Sequence, residues 1–395
     1  MFKLDSSRHK KLPPNVKKLG WLSFFTDISG EMIFPLLPVY ITIILGGNPL
    51  ILGFIEGISE TTSSLLKLFS GVLSDHIRKR KMLVLIGYAL SSILRSCMGF
   101  ATHWNEVLFF RFGDRVGKGI RTAPRDALIA ASVDHTNRGH AYGFHRMMDH
   151  CGAVAGALSS AFLLWMFPGQ FRMIFFLAII PALFSLIVLF RVEEVVEGSI
   201  EKKKFSFAAA KKIPARLWFF LGLVFIFNLA NSTDAFLLLR LKEGGLPDFA
   251  LPLFWAAFSG MKALSNSRLG IISDRVGHGF LVGLGWLFYA FIYFVFSFEI
   301  PFPLLVTNFL VFGMFYGLTE APEKVVVLKH ATHEHYGTFF GLYHFTQSIS
   351  LLPASVIFGS LWKFGGFDLA FRVSALLALF AAFGMWLWRT SPQPK

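Results

Sequence analysis

The chain has 395 residues, 54% of them hydrophobic and only 16% charged, with a mean hydropathy of +0.58. Soluble globular domains carry about 25% charged residues, so this composition excludes an ordinary soluble fold. The formal net charge of +14 is read as loop charge facing anionic lipid, and no nucleic-acid partner is expected.

Apolar segments of about 20 residues, long enough to cross a hydrocarbon core of about 30 Å as helix, can be placed twelve times. The first six lie near Leu19 to Leu45, Leu50 to Ser74, Met82 to Ala101, Val107 to Ser132, Tyr142 to Phe167 and Met173 to Phe190. The second six run near Leu217 to Leu241, Leu251 to Ser273, Phe280 to Phe298, Leu304 to Leu328, Phe339 to Trp362 and Leu369 to Trp388. The runs are continuous rather than alternating, which points to helices and not to the strands of a membrane barrel.

The basic tail with Lys10, Lys11, Lys17 and Lys18 precedes a first span too long for a signal-peptide core, so no cleaved leader is expected. Arg78, Lys79, Arg80 and Lys81 follow the second span, and Lys202, Lys203, Lys204, Lys211 and Lys212 fill the stretch after the sixth. Loops on the opposite side carry few such charges, which places both termini and the central loop in the cytoplasm.

Ionisable groups inside a span cost about 2.5–3.5 kcal/mol at the bilayer centre and therefore mark function or pairing. On the first span Asp27 and Glu31 are four apart and share a face; Glu56 and Glu60 do so on the second, nearer its outer end. Arg95 sits on the third. On the fourth, Arg111, Asp114, Arg115, Lys118, Arg121 and Arg125 with Asp126 recur at helical steps, forming one polar stripe. Asp27 and Glu31 are its expected counter-charges. The fifth span opens with His145, Arg146, Asp149 and His150, in which an Arg146–Asp149 ion pair is expected.

Val192 to Arg216 is the one sizeable polar interruption, with an interfacial helix expected around Phe205 to Ile213. It divides the chain into a six-helix bundle at 1–191, a cytoplasmic linker at 192–216 and a second bundle at 217–395. In the second half, Asn228, Asn231, Ser232, Asp234, Lys262, Glu320, Glu323, His344 and Gln347 are polar groups within spans that are expected to complete a polar cavity. Glu320 and Lys324 are spaced for a pair along one helix.

The two halves repeat each other. Gly71-Val-Leu-Ser-Asp75 recurs as Gly270-Ile-Ile-Ser-Asp274; Gly119, Ala123 and Pro124 recur as Gly317, Ala321 and Pro322; Gly139 and Gly143 recur as Gly337 and Gly341. The offsets stay within two residues of one another, as a whole-chain duplication requires. Six spans per half is an even number, so the repeats are parallel.

Gly71-Val-Leu-Ser-Asp75-His-Ile-Arg78 and its second copy, Gly270-Ile-Ile-Ser-Asp274-Arg275-Val-Gly277, resemble the signature loop of the major facilitator superfamily, twelve-helix secondary transporters. The resemblance covers essentially the whole chain. It implies an all-α membrane protein with twelve transmembrane helices in two parallel-repeat bundles. It also implies that Gly71, Asp75 and Arg78, and Gly270, Asp274 and Arg275, latch against the glycine-spaced starts at Gly337 and Gly341, and at Gly139 and Gly143. Glycines four apart permit close backbone approach, and a helix N-terminus attracts a carboxylate. Gly152-Ala-Val-Ala-Gly156-Ala157 keeps the small-residue face of the family's antiporter signature but lacks its proline.

His330, His333, Glu334 and His335 match no common zinc spacing, no Walker loop is present, and neither metal nor cofactor is expected. Cys97 and Cys151 are expected to be core thiols. The function expected is secondary active transport of a small, anionic or zwitterionic solute by alternating access with proton coupling. Asp27, Glu31 and Asp149 are the proton-coupling candidates. Arg95, Arg111, Asp114, Arg115 and Lys118 line the cavity with the second-half polar groups named above. Membrane lipids are the expected surroundings, a prokaryotic inner or plasma membrane the location, and a monomer the state. The alternatives are a proton-coupled multidrug exporter and a non-transporting receptor or enzyme on the same fold.

Overall fold

The computed structural model describes residues 12–77, 80–134, 138–195, 214–329 and 336–390. Within them the ordered elements are all helical: α1 (Pro14–Ile33), α2 (Leu37–Val39), α3 (Pro49–Ile77), α4 (Arg80–Cys97), α5 (Trp104–Ala131), α6 (Arg138–Met166), α7 (Phe171–Leu177) and α8 (Ile179–Phe190). There follow α9 (Ala215–Ala230), α10 (Ala235–Glu243), α11 (Ala250–Val276), α12 (His278–Phe296), α13 (Phe302–Phe312), α14 (Met314–Lys329) and α15 (Tyr336–Thr390). Eight described segments are long and apolar enough to cross a membrane. The difference from twelve has two causes. Gly341–Trp388 forms one 48-residue run, interrupted at Gly366 (φ 83°, ψ 167°), and α3, α5 and α11, which carry charged and polar side chains along their length, are not among the eight.

The chain forms two compact units. The first holds residues 1–34, 65–101 and 109–202. Here α1 packs along α6 and α8. Gly152 and Gly156 make the α1–α6 contact: a methyl group on either would collide with the backbone of Phe24 or Ile28. Helix association in lipid rests on such close packing, because the tails solvate apolar side chains as well as a neighbouring helix does. At one end Val16, Leu19, Leu22, Val84, Tyr88, Leu128, Ile129 and Leu189 close the core.

The second unit holds 35–64, 102–108 and 203–395. In it α15 packs on α9 and α12, and α11 on α14. Its centre is aromatic: Phe227 stacks on Trp286 at 4.8 Å, Tyr289 on Tyr293 at 4.0 Å and Phe312 on Phe315 at 5.4 Å. The early part of α3 crosses α15 where Gly53 and Gly57 lie against Ser355 and Leu352, and Thr61 donates to the Ser348 carbonyl (3.3 Å).

Two of the helix breaks have a local reason in the sequence. After Ile33 the α1 line passes through a 3-10 turn at Phe34–Leu36, the short α2 and a π turn at Tyr40–Ile44. Pro35 and Pro38 lack the amide hydrogen that a regular helix needs. Between α9 and α10, Asn231-Ser-Thr-Asp234 leaves the helix; such side chains compete for nearby backbone groups and weaken a helix interior. The freed Ala230 carbonyl accepts a hydrogen bond from the Tyr289 hydroxyl (2.8 Å).

Both cysteines are free, but Cys151 is exposed, correcting the expectation of a core thiol: it lies on the side of α6 turned away from the packed α1 face. The interfacial helix expected at 205–213 and the loop histidines at 330–335 lie outside the described residues.

Candidate functional site

In the first unit α4 and α5 bury a charged cluster. Arg95 donates from Nε (3.1 Å) and Nη2 (2.9 Å) to Oδ1 of Asp114, and from Nη1 to the Thr26 carbonyl (3.1 Å). The Ser91 hydroxyl makes a short hydrogen bond to the same carboxylate oxygen. Arg111 and Arg115 approach Asp114 Oδ2 at 3.7 and 3.9 Å. Asp114 is 1% exposed, so four groups from two helices compensate one fully buried carboxylate. Asp114, within the stripe itself, is the counter-charge that Arg95, Arg111 and Arg115 share, while Asp27, one of the two carboxylates expected in that role, lies within electrostatic reach of Arg121 and Lys118.

About two turns along, Arg121 lies over the ring of Tyr88 at 3.9 Å. Arg125 donates to Asp126 (2.8 and 2.9 Å) and to Ser23 (3.3 Å). Ser23 hydrogen-bonds His145 (2.7 Å), and Asp149 takes His145 and Arg146 at 3.5 Å each. Asp27, on the same α1 face, is within electrostatic reach of Asp149, Glu31, Arg121 and Lys118. The structure therefore brings Asp27, Glu31, Asp149 and Lys118 into one polar zone beside the Asp114 cluster.

The second unit carries two further sites. At the break before α10, Asp234 pairs with Lys262 Nζ of α11 (2.8 Å) and accepts the Tyr316 hydroxyl from α14 (2.8 and 2.9 Å). Farther along α14, Glu323 accepts from Trp286 Nε1 (3.0 Å) and the Tyr343 hydroxyl (2.7 Å). Gln347 donates to that hydroxyl (2.9 Å) and meets His344 Nδ1 at 3.2 Å. Glu320 takes its hydrogen bond from Asn266 (2.9 Å) rather than from Lys324. Asn231 ends α9, its amide donating to the Phe227 carbonyl (3.0 Å). The Asn228 amide is buried without an acceptor among the described residues. Tyr316 is within electrostatic reach of both Asp234 and Glu320, and Glu320 of Glu323, so the Asp234 and Glu323 groups follow one another along α14.

Ser23, Ser91, Tyr316, Trp286 and Tyr343 had not been singled out from sequence. Each presents a single hydroxyl or indole N–H to its partner, and many other serines and aromatics in the apolar segments carry the same groups. Of the latch residues, Arg78 lies outside the described residues, and only the helical backbone is described for Gly71, Asp75, Gly139, Gly270, Asp274, Arg275 and Gly337. Gly143 has open space where a side chain would project, and Gly341 is partly exposed on α15. Among the described residues, no three metal-ligating side chains gather.

The sequence and the fold both have relatives. The chain is 31% identical over 381 residues, 95% of either protein, to an uncharacterized MFS-type transporter of Methanocaldococcus jannaschii. It is 26% identical over 387 residues, 93% of either, to the multidrug resistance protein MdtG of Dickeya zeae. The crystal structure of the nucleoside transporter NupG superimposes with a TM-score of 0.79 at 11% identity, covering 96% of this chain and 100% of that one. Ionisable side chains within membrane-spanning segments are rare and face the interior of the bundle or pair with one another. The family profile of the Major Facilitator Superfamily matches residues 19–355 and 256–395, and the chain belongs to that family of membrane transporters.

Proposed function

We propose that the protein is a proton-coupled secondary transporter of a small anionic or zwitterionic solute, working by alternating access between two six-helix halves. Twelve membrane crossings, cytoplasmic termini, a prokaryotic inner or plasma membrane and a monomeric state complete the proposal. The observation that carries coupling is the placement of Asp27 within reach of both Asp149 and Glu31. Three carboxylates around one face of α1 offer a place where a proton is taken up and released as that face meets alternating solvent. The anionic preference is supported by Arg95, Arg111 and Arg115 converging on one carboxylate, a basic surround for a solute carboxylate or phosphate.

Proteoliposomes with an imposed pH gradient test the reading. Screened anions and zwitterions should accumulate, and Asp27→Asn and Glu31→Gln should abolish gradient-driven accumulation while leaving solute exchange. Accumulation unchanged in both variants would remove these residues from coupling.

Export of lipophilic cations is the second reading. The relationship to a multidrug resistance protein and the aromatic surroundings of Lys262 favour it. Outward, gradient-driven movement of such cations, with no anion accumulated, would select it; ligand binding without flux of any solute would select a receptor.

A further inference from the structure

Lys262 is enclosed by aromatic rings. Its Nζ lies 3.8 Å from the ring centroid of Tyr316, 4.3 Å from that of Phe258 and 5.2 Å from that of Trp255. On the remaining side it meets Asp234 Oδ2 at 2.8 Å, and Tyr316 orients that carboxylate through its hydroxyl. Phe258 is fully buried and Trp255 nearly so, while the side chains of Lys262 and Asp234 keep 21% and 13% exposure. The three rings surround the ammonium, and the charged pair keeps the partial exposure.

Three ring faces and a carboxylate are a donor set for a cation of low hydration, whose attraction to an aromatic face strengthens as water is removed. A lysine ammonium is a compact, strongly hydrated charge and exploits such a box less well than an alkylated one. Asp234 also sits at the break between α9 and α10. Irregular backbone at membrane depth is tolerated where it is buried in protein or lines a cavity.

We propose that this box is a recognition site for the ammonium group of an organic cation or zwitterion, and that Lys262 is a tethered occupant which the ligand displaces. The proposal deepens the transport reading and rests on it only for the statement that the ligand is cargo.

Choline is the probe, with its uncharged isostere 3,3-dimethylbutan-1-ol as control, titrated calorimetrically into purified protein in detergent at about pH 8, well above the ordinary carboxylate range. Lys262→Met should bind choline at least about ten-fold more tightly than the unaltered protein, a change well resolved by titration, and should ignore the alcohol. Adding Asp234→Asn to that variant should erase the gain. Lys262→Gln, which keeps a donor for Asp234, carries the same expectation if the methionine variant does not melt cooperatively. Equal choline affinity with and without Lys262, or alcohol binding equal to choline, would overturn the proposal, the second result showing a mere apolar hole. No flux enters this measurement, so failure of the transport reading would leave its outcome standing, and the converse holds.

Discussion

Arg95 and Asp114 form a two-pronged ion pair across α4 and α5, with Nε and Nη2 both directed at Oδ1 at 3.1 and 2.9 Å. Removing one member of a buried pair costs about 3–5 kcal/mol, because the other charge is stranded. Asp114→Asn should therefore lower thermal stability more than Arg111→Ala, whose guanidinium stands 3.7 Å from the carboxylate. Replacing Arg95 and Asp114 together by Met and Leu should recover part of the loss. Melting curves in detergent check the order, and a double replacement less stable than Asp114→Asn would contradict it.

The α1–α6 contact has no room at Gly156, where an added methyl meets the backbone of Ile28. Gly156→Val should destabilise by about 1–3 kcal/mol through overpacking. Gly143→Ala, on the same helix with open space, should leave the melt within about 0.5 kcal/mol. Similar melting shifts for the two substitutions would remove the packing argument.

Tyr289 serves the broken helix by donating to the Ala230 carbonyl. Tyr289→Phe keeps the stacking on Tyr293 but orphans that carbonyl, at a cost of about 1–3 kcal/mol. Hydrogen exchange should quicken in α9 and α10 and not in α1. Unchanged exchange around 228–236 would show that the carbonyl finds another donor.

Just past the end of α8, Glu193 is pinned to the start of α1. Asn15 and Glu193 exchange two hydrogen bonds (2.9 and 3.2 Å), and Lys18 Nζ meets Glu193 at 2.8 Å. The Lys18 hydrogen bond, aided by its charge, holds the Glu193 carboxyl below the usual glutamate value. A depressed folded value means the attachment is complete above the unfolded value and is lost as pH falls through the lower one. Corrected exchange of peptides covering 12–20 should therefore rise below about pH 4. In Glu193→Gln the same peptides should exchange at a rate independent of that transition; a transition persisting there would assign it to another group.

The membrane class, the family and the buried charges on the fourth span were legible in the sequence, because hydropathy and helical periodicity are properties of neighbouring residues. The repeated glycine and aspartate loops made the family readable in the same way. Proline pairs at 35 and 38 and the run Asn231 to Asp234 also carry the reason for each helix break in their own chemistry. The partner of each charge was decided only in three dimensions. Arg95 and Asp114 lie 19 residues apart on different helices, and Asp234 gathers Lys262 and Tyr316 from 28 and 82 residues away. Sequence spacing reports which groups share one helix face, whereas pairing depends on how neighbouring helices cross and rotate. Nor does it distinguish a tyrosine that caps a buried carboxylate from one facing lipid: both read as aromatic residues in an apolar span, and only packing sets where the hydroxyl ends.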